Sequence, residues 1–142
     1  MYVLIVGAGR VGTAVARWLL EADHEIAIID NDESRCVAIE DELGGVAVSG
    51  EGTEEAILGR AGANRADVFI ATTRRDDENL VSCQLAKHRF GAARVVALVN
   101  VPEHIEVFSR LGIDVSVNTT ELLVNRIQED LASLIVEEVR GF

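Results

Sequence analysis

Short continuous apolar blocks alternate along this 142-residue chain with longer stretches whose apolar positions recur at helical spacing. YVLIV (2–6), IAIID (26–30), VAV (46–48), DVFIA (67–71), VVALV (95–99) and DVSV (114–117) read as strands. Between the first two, residues 10–22 carry Val11, Ala14, Val15, Trp18 and Leu19, which predicts an amphipathic helix with those side chains inward. Further helices are expected over 33–43, about 53–60 and about 77–90. Asn31 or Asp32 is expected to cap the first of these, Thr53 the second, and Asp76 or Asp77 the third. Pro102 opens a short helix that ends at Gly112, and a long helix follows from about Thr120. Strands alternating with helices predict a parallel sheet covered on both faces. Six strands in this rhythm predict an α/β, Rossmann-type, doubly wound parallel sheet. No linker or low-complexity run interrupts it, so residues 1–142 read as a single domain in which 119–142 form the C-terminal helix.

Composition narrows the classes of function. Hydrophobic residues make up 49% of the chain, too many for a disordered acidic tail. No apolar run reaches the ~18 residues a membrane span needs, and the N-terminus lacks the basic region and cleavage site of a signal peptide, so a cytoplasmic protein without membrane insertion is expected. Cys36 and Cys83 stand alone, which indicates two buried thiols and no zinc or disulfide framework. The net charge of −11 argues against a nucleic-acid groove, which needs a basic stripe. Lys87 is the one lysine among 13 cationic residues. Acidic charge with scarce lysine fits a salt-rich, halophile cytoplasm, where screening removes self-repulsion; an ordinary acidic protein is the other reading.

The first strand runs into Gly7, Gly9 and Gly12, a G-x-G-x-x-G pattern that opens the first helix. In that context Gly7 permits the tight turn, Gly9 lets backbone approach a pyrophosphate, and Gly12 lets helix and strand pack closely. Amides at the helix start then face the phosphates. Arg10 either reaches a phosphate or lies in solvent. Asp30 ends the second strand, placed to accept hydrogen bonds from ribose hydroxyls; a 2′-phosphate there would be repelled, which favours NAD over NADP. Just past the third strand, Glu51, Gly52 and Thr53 are candidates for the adenine side. Thr72 and Thr73 follow the fourth strand, across the switch point from the glycine loop.

Chemistry on such a cofactor needs a substrate region and a proton donor or acceptor. The fold uses almost the whole chain. Tyr2 is the single tyrosine and lies far in sequence from Lys87, so the Tyr-x-x-x-Lys pair of short-chain dehydrogenases is missing. His24, His88 and His104 are isolated in polar stretches and read as surface histidines, and no catalytic residue is assigned. A binding module is favoured. A small NAD-dependent oxidoreductase, or a fragment of one, is the alternative, and a redox-sensing repressor lacks both a helix-turn-helix and the right charge.

Taken together, VLIVGAGRVG, IAIID ending in Asp30, GEGT (50–53), ADVFIATTRRDDENL and FSRLGID resemble the nucleotide-binding RCK domain found at the N-terminus of Trk potassium-uptake regulators. The resemblance implies a cytoplasmic regulatory domain that binds NAD or NADH, or in related members ATP and ADP. It implies a membrane potassium transporter subunit as partner, and assembly as a homodimer or higher ring. Gly7, Ala8, Gly9, Arg10 and Val11 match the family's phosphate loop, with Gly12 completing it, and Asp30 its ribose-binding acid, beside Asn31. Glu51 and Gly52 match a Gly-Asp-x-Thr stretch, with Glu51 in place of the usual Asp; Leu98 and Ser109 stand where arginine and glutamate are common. The helix over 119–142 matches one that crosses over to a neighbouring subunit; its other reading is a last Rossmann helix on its own sheet. Leu123, Ile127, Leu131 and Leu134 form its apolar stripe, with Leu122, Ile135, Val136 and Val139 widening it.

On the salt-adapted reading the melting temperature rises between low and molar KCl. Thermal scans over that range check it, and a flat series favours the ordinary acidic protein.

Overall fold

All six apolar blocks join one parallel sheet in the computed structural model of the protein, which describes residues 1–140, with side chains as far as Glu138. The elements are β1 (Tyr2–Val6), α1 (Arg10–Glu21), β2 (Glu25–Asp30), α2 (Glu33–Leu43), β3 (Ala47–Ser49), α3 (Glu55–Arg60), β4 (Val68–Ala71), α4 (Asp76–Gln84), β5 (Arg94–Val99), α5 (Ile105–Arg110), β6 (Val115–Asn118) and α6 (Thr119–Arg140). The strand order is β3-β2-β1-β4-β5-β6 with every pair parallel, the doubly wound Rossmann arrangement that the sequence predicts. The chain reverses direction along the sheet between β3 and β4, so β1 and β4 lie side by side at the switch point.

Side-chain alternation builds a core on each face. Tyr2, Leu4 and Val6 of β1 pack with Leu58 of α3, Cys83 of α4 and Phe108 of α5. Val3 and Ile5 face the other way, onto Ala16 and Leu19 of α1 and Ile39 of α2. Val96 and Val117 of β5 and β6 belong to neither buried cluster.

Several local expectations shift. The inward face of α1 is Gly12, Ala16 and Leu19, while Val11 and Trp18 are 42% and 65% exposed. The cause is steric: a Cβ on Gly12 would lie 1.8 Å from the Gly7 carbonyl oxygen, so this smallest position has to face the sheet, which turns Val11 and Trp18 outward while Leu19 stays inside. Asp32, not Asn31, caps α2, accepting from the amides of Ser34 and Arg35. The cap position of α3 is Glu54, and no side chain, Thr53 included, fills it. The helix expected over 77–90 is α4 followed by one wide π turn, Leu85–Arg89.

Asp76 and Asp77 do not cap α4 either; Arg75 holds that position and both acids lie in the first turn. Asp76 is buried and reaches across to the end of β5. It accepts from the amides of Asn100 (2.7 Å) and Val101 (3.0 Å), from the Asn100 side chain (2.8 Å), and pairs with His104 Nδ1 (2.8 Å). His104 is thus exposed yet engaged. Burial pushes the Asp76 carboxyl up, but these donors outweigh it and hold its pKa below the ordinary 3.8.

The long helix α6 does not fold back on its own sheet. Leu122, Leu123, Ile127, Leu131, Leu134, Ile135 and Val136 are 48–62% exposed. The side chain of Val139 and residues 141 and 142 lie outside the described residues. Among the described residues no helix is long and apolar enough to cross a membrane.

A carboxylate with a depressed folded pKa stabilises the protein above its unfolded pKa and loses that contribution as pH falls through the folded one. Asp76→Asn is therefore expected to cost about 1–3 kcal/mol at neutral pH, with the deficit shrinking below about pH 4. Denaturant titration of both proteins at pH 7 and pH 3 checks this; an equal deficit at both would show that the charge is not what matters.

Candidate functional site

The carboxyl ends of β1, β2, β4 and β5 open into one cleft of about 670 Å³. Its floor is the β1–α1 turn. Gly7 sits at φ +106°, where a Cβ would lie 2.5 Å from Thr72 Oγ1, and its amide donates to the Ile29 carbonyl at 2.8 Å. Thr72 locks the same turn from β4, its hydroxyl lying 2.9 Å from the Val6 carbonyl and 3.1 Å from that of Gly7. Gly9 differs from its two partners. Its φ is −81°, and a Cβ built on it meets nothing within 4 Å. The fold requires Gly7 and Gly12; it does not require Gly9.

The helix start beyond Gly9 is bare. The first-turn amides of any helix lack intrahelical partners. On α1 no side chain caps them and no acid occupies the first turn. Helices α2 to α6 each carry Asp or Glu in that turn. In a chain with 24 acidic residues, α1 alone among these helices keeps its positive end free for an anion from outside.

Asp30 forms the β2 side of the cleft. It is 7% exposed, and its carboxylate accepts from the amides of Ala8 and Asp32, both at 2.8 Å. Arg35 Nη1 stands 3.6 Å away. Both carboxylate oxygens keep a lone pair, which suits Asp30 to accept from vicinal hydroxyls. The Ala8 amide, by contrast, is occupied by Asp30 and faces no ligand. Asn31 donates to Glu51 at 3.0 Å, joining the ends of β2 and β3. Gly52 lies against Val6, where a Cβ would come within 2.4 Å of Cγ1.

Across the cleft, Thr73 is held by Asn79, whose side-chain oxygen accepts from the Thr73 amide (3.0 Å) and hydroxyl (2.6 Å). The Asn79 amide group donates back to the carbonyls of Thr73 and Leu98. Asn79 is fully buried, so this wall is rigid.

The expected residues Gly7, Gly9, Arg10, Val11, Asp30, Asn31, Glu51, Gly52, Thr72 and Thr73 all line this cleft. Ala8, Gly12 and Thr53 do not: Ala8 and Gly12 are buried behind the turn, and Thr53 lies beside the lining. Leu98, where arginine is common in the family, and Leu123 of the α6 stripe line the cleft as well; Val6, Ile29, Arg35, Gly50, Arg74, Arg75, Glu78, Asn100 and Thr119, which sequence patterning does not assign to the site, make up the rest. The pair RR at 74–75 was the available signal for two of these. A second groove of about 570 Å³, near Pro102 and the base of α6, contains none of the expected residues.

Neither thiol is activated. Burial, then the Asp30 charge, push Cys36 up, and burial takes Cys83 to about 12. Among the described residues no three His, Cys, Asp or Glu side chains are placed to hold a metal.

The architecture has many counterparts. The chain is similar to the TrkA-N domain of inner membrane protein ybaL from Escherichia coli, with a TM-score of 0.85 at 22% identity, covering 92% of this chain and 96% of that one. It is similar to the GsuK channel protein bound to ADP (TM-score 0.76, 28% identity, 89% of this chain and 32% of that one). It also matches the AMP-bound Kef C-terminal domain of Shewanella denitrificans (0.78, 26%, 94% and 82%). Among curated relatives, a Trk system potassium uptake protein TrkA homolog of Methanothermobacter thermautotrophicus is 39% identical over 114 residues, 80% of this chain and 52% of the relative. Its namesake in Pyrococcus abyssi is 33% identical over 138 residues, 94% and 61%. The chain thus spans roughly half to three fifths of the curated relatives it matches. The TrkA-N domain family model matches residues 3–119, most of the Rossmann sheet and its glycine loop, and the chain belongs to the TrkA-N domain family.

Proposed function

We propose that the cleft binds an adenine nucleotide, NAD or NADH in the first instance and ATP or ADP as the alternative, and that the domain regulates potassium transport in response. The carrying observation is the bare N-terminus of α1 beside a glycine that the fold does not need. A Cβ on Gly9 would project into the open cleft, the volume that phosphates over the α1 amides would occupy. Asp30 receives the adenosine ribose, Arg10 and Val11 flank the phosphates, and Asn31, Glu51 and Gly52 border the adenine side. The names of the curated relatives and the nucleotide-bound relatives support the same reading.

Regulation requires a ligand with different affinity for two states of the assembly. The domain is read as a non-catalytic, cytoplasmic unit held at the inner face of the membrane through a transporter subunit. A homodimer or larger ring forms through α6, whose apolar stripe is uncovered, with the half-buried Val96 and Val117 of the sheet as a further contact surface.

Calorimetric titration with NAD, NADH, ADP and ATP is expected to show micromolar binding of at least one, abolished by Asp30→Ala. Because that variant also frees two backbone amides, Gly9→Ala is the cleaner test. It keeps the melting temperature within a few degrees and weakens nucleotide binding tenfold or more, while Gly12→Ala costs about 1–3 kcal/mol or more through its clash with Gly7. Unchanged affinity in folded Gly9→Ala would overturn the proposal. Turnover of NADH with simple carbonyls is expected to be absent; measurable turnover would favour the oxidoreductase.

A further inference from the structure

Four arginines, Arg10, Arg35, Arg74 and Arg75, line the cleft of a chain whose net charge is −11. Two are already compensated. Arg35 pairs with Asp30 and Asp32, and Arg75 with Asp77 and Glu78. Arg10 and Arg74 form no ion pair among the described residues. Asp77 and Glu78 pair with Arg75, and Asp76 with His104, so the acids at the start of α4 are engaged elsewhere and Arg74 stands on the cleft wall without an ion-pair partner among the described residues.

Its backbone is fixed. Asn79 and Asn100 both donate to the Thr73 carbonyl, at 2.9 and 3.2 Å, and the Arg75 amide donates to the Thr73 hydroxyl at 3.3 Å. Arg74 therefore leaves a braced segment on both sides, directly beyond the Thr72 contact with the glycine turn.

The strand order gives this position a meaning. β2, β1 and β4 are consecutive in the sheet, about 4.8 Å apart. On the reading above, the adenosine ribose lies at the end of β2 and the first phosphates lie over the turn after β1. Whatever the ligand carries beyond those phosphates then lies at the end of β4, beside Arg74. We infer that Arg74 is a specificity-determining residue that reads the charge at the far end of the bound nucleotide. A terminal phosphate, as in ADP, gains a charge-assisted hydrogen bond there. AMP does not extend that far. The nicotinamidium ring of oxidised NAD brings a positive charge toward the guanidinium and is disfavoured against the neutral ring of NADH.

The inference rests on the nucleotide reading of the cleft, and one experiment separates the two. AMP, ADP, NAD and NADH are titrated at one fixed salt concentration into the full chain and into Arg74→Gln and Arg74→Lys. The intact chain is expected to hold ADP about tenfold more tightly than AMP, and NADH more tightly than NAD. In Arg74→Gln, AMP affinity stays the same while both preferences collapse toward one; Arg74→Lys keeps part of each. Retained AMP binding also certifies that the variant is folded. If Arg74→Gln leaves the ratios unchanged, or lowers AMP and ADP equally, Arg74 does not read the distal charge although the cleft binds nucleotides. If the intact chain binds none of the four, the nucleotide reading itself fails and this inference falls with it.

Discussion

The architecture of the cleft depends on one contact, the approach of α1 to the end of β1 at Gly12 and Gly7. With no room for even a methyl group between them, α1 starts directly over the strand end. This contact sets the rotation of the whole helix, burying Ala16 and Leu19 and turning Val11 and Trp18 out. It also holds the turn where the Ala8 amide meets Asp30 and the Gly7 carbonyl meets Thr72. Three strand ends are tied together through a single turn, so the floor of the cleft is formed before any ligand arrives.

Charge is distributed around that floor with a clear division of labour. Five helices begin with their own carboxylates, which satisfy the dipole from within the chain. The sixth begins with glycine and arginine. Asp76, meanwhile, is turned away from its own helix start to organise the β5–α5 junction, where a buried carboxylate with four donors is a rigid node. Asp30 and Asp76 therefore act as internal braces, one on the β2 side of the cleft and one behind it at the end of β5, while Arg10 and Arg74 line the cleft without ion pairs among the described residues.

The strands and their order were legible because a parallel sheet buried on both faces demands continuous apolar runs, and VLIV, IAII and VVALV supply them. The glycine turn and Asp30 were legible because their spacing has a steric meaning. Helix rotation was not: periodicity ranks apolar side chains by size, and it placed Trp18 inward where close approach at Gly12 decides otherwise. Cap propensity failed at Thr53 and Asp76, since a more distant set of donors outcompetes the local amides at Asp76. Arg35 and Arg74 carried no periodic signal. Arg35 lies on α2 just behind Asp30, and Arg74 reaches the cleft because β4 inserts beside β1.

The straight run of α6 has a mechanical consequence. Thr119 and Leu123, in its first two turns, belong to the lining of the cleft, and the following side chains, as far as they are described, touch water. A 22-residue helix is about 33 Å long at 1.5 Å per residue. Over that length a tilt of about 5° at the base corresponds to a displacement of about 3 Å at the far end. The cleft and the far end of this helix are thus joined by one rigid element, over which any tilt at the base grows with distance.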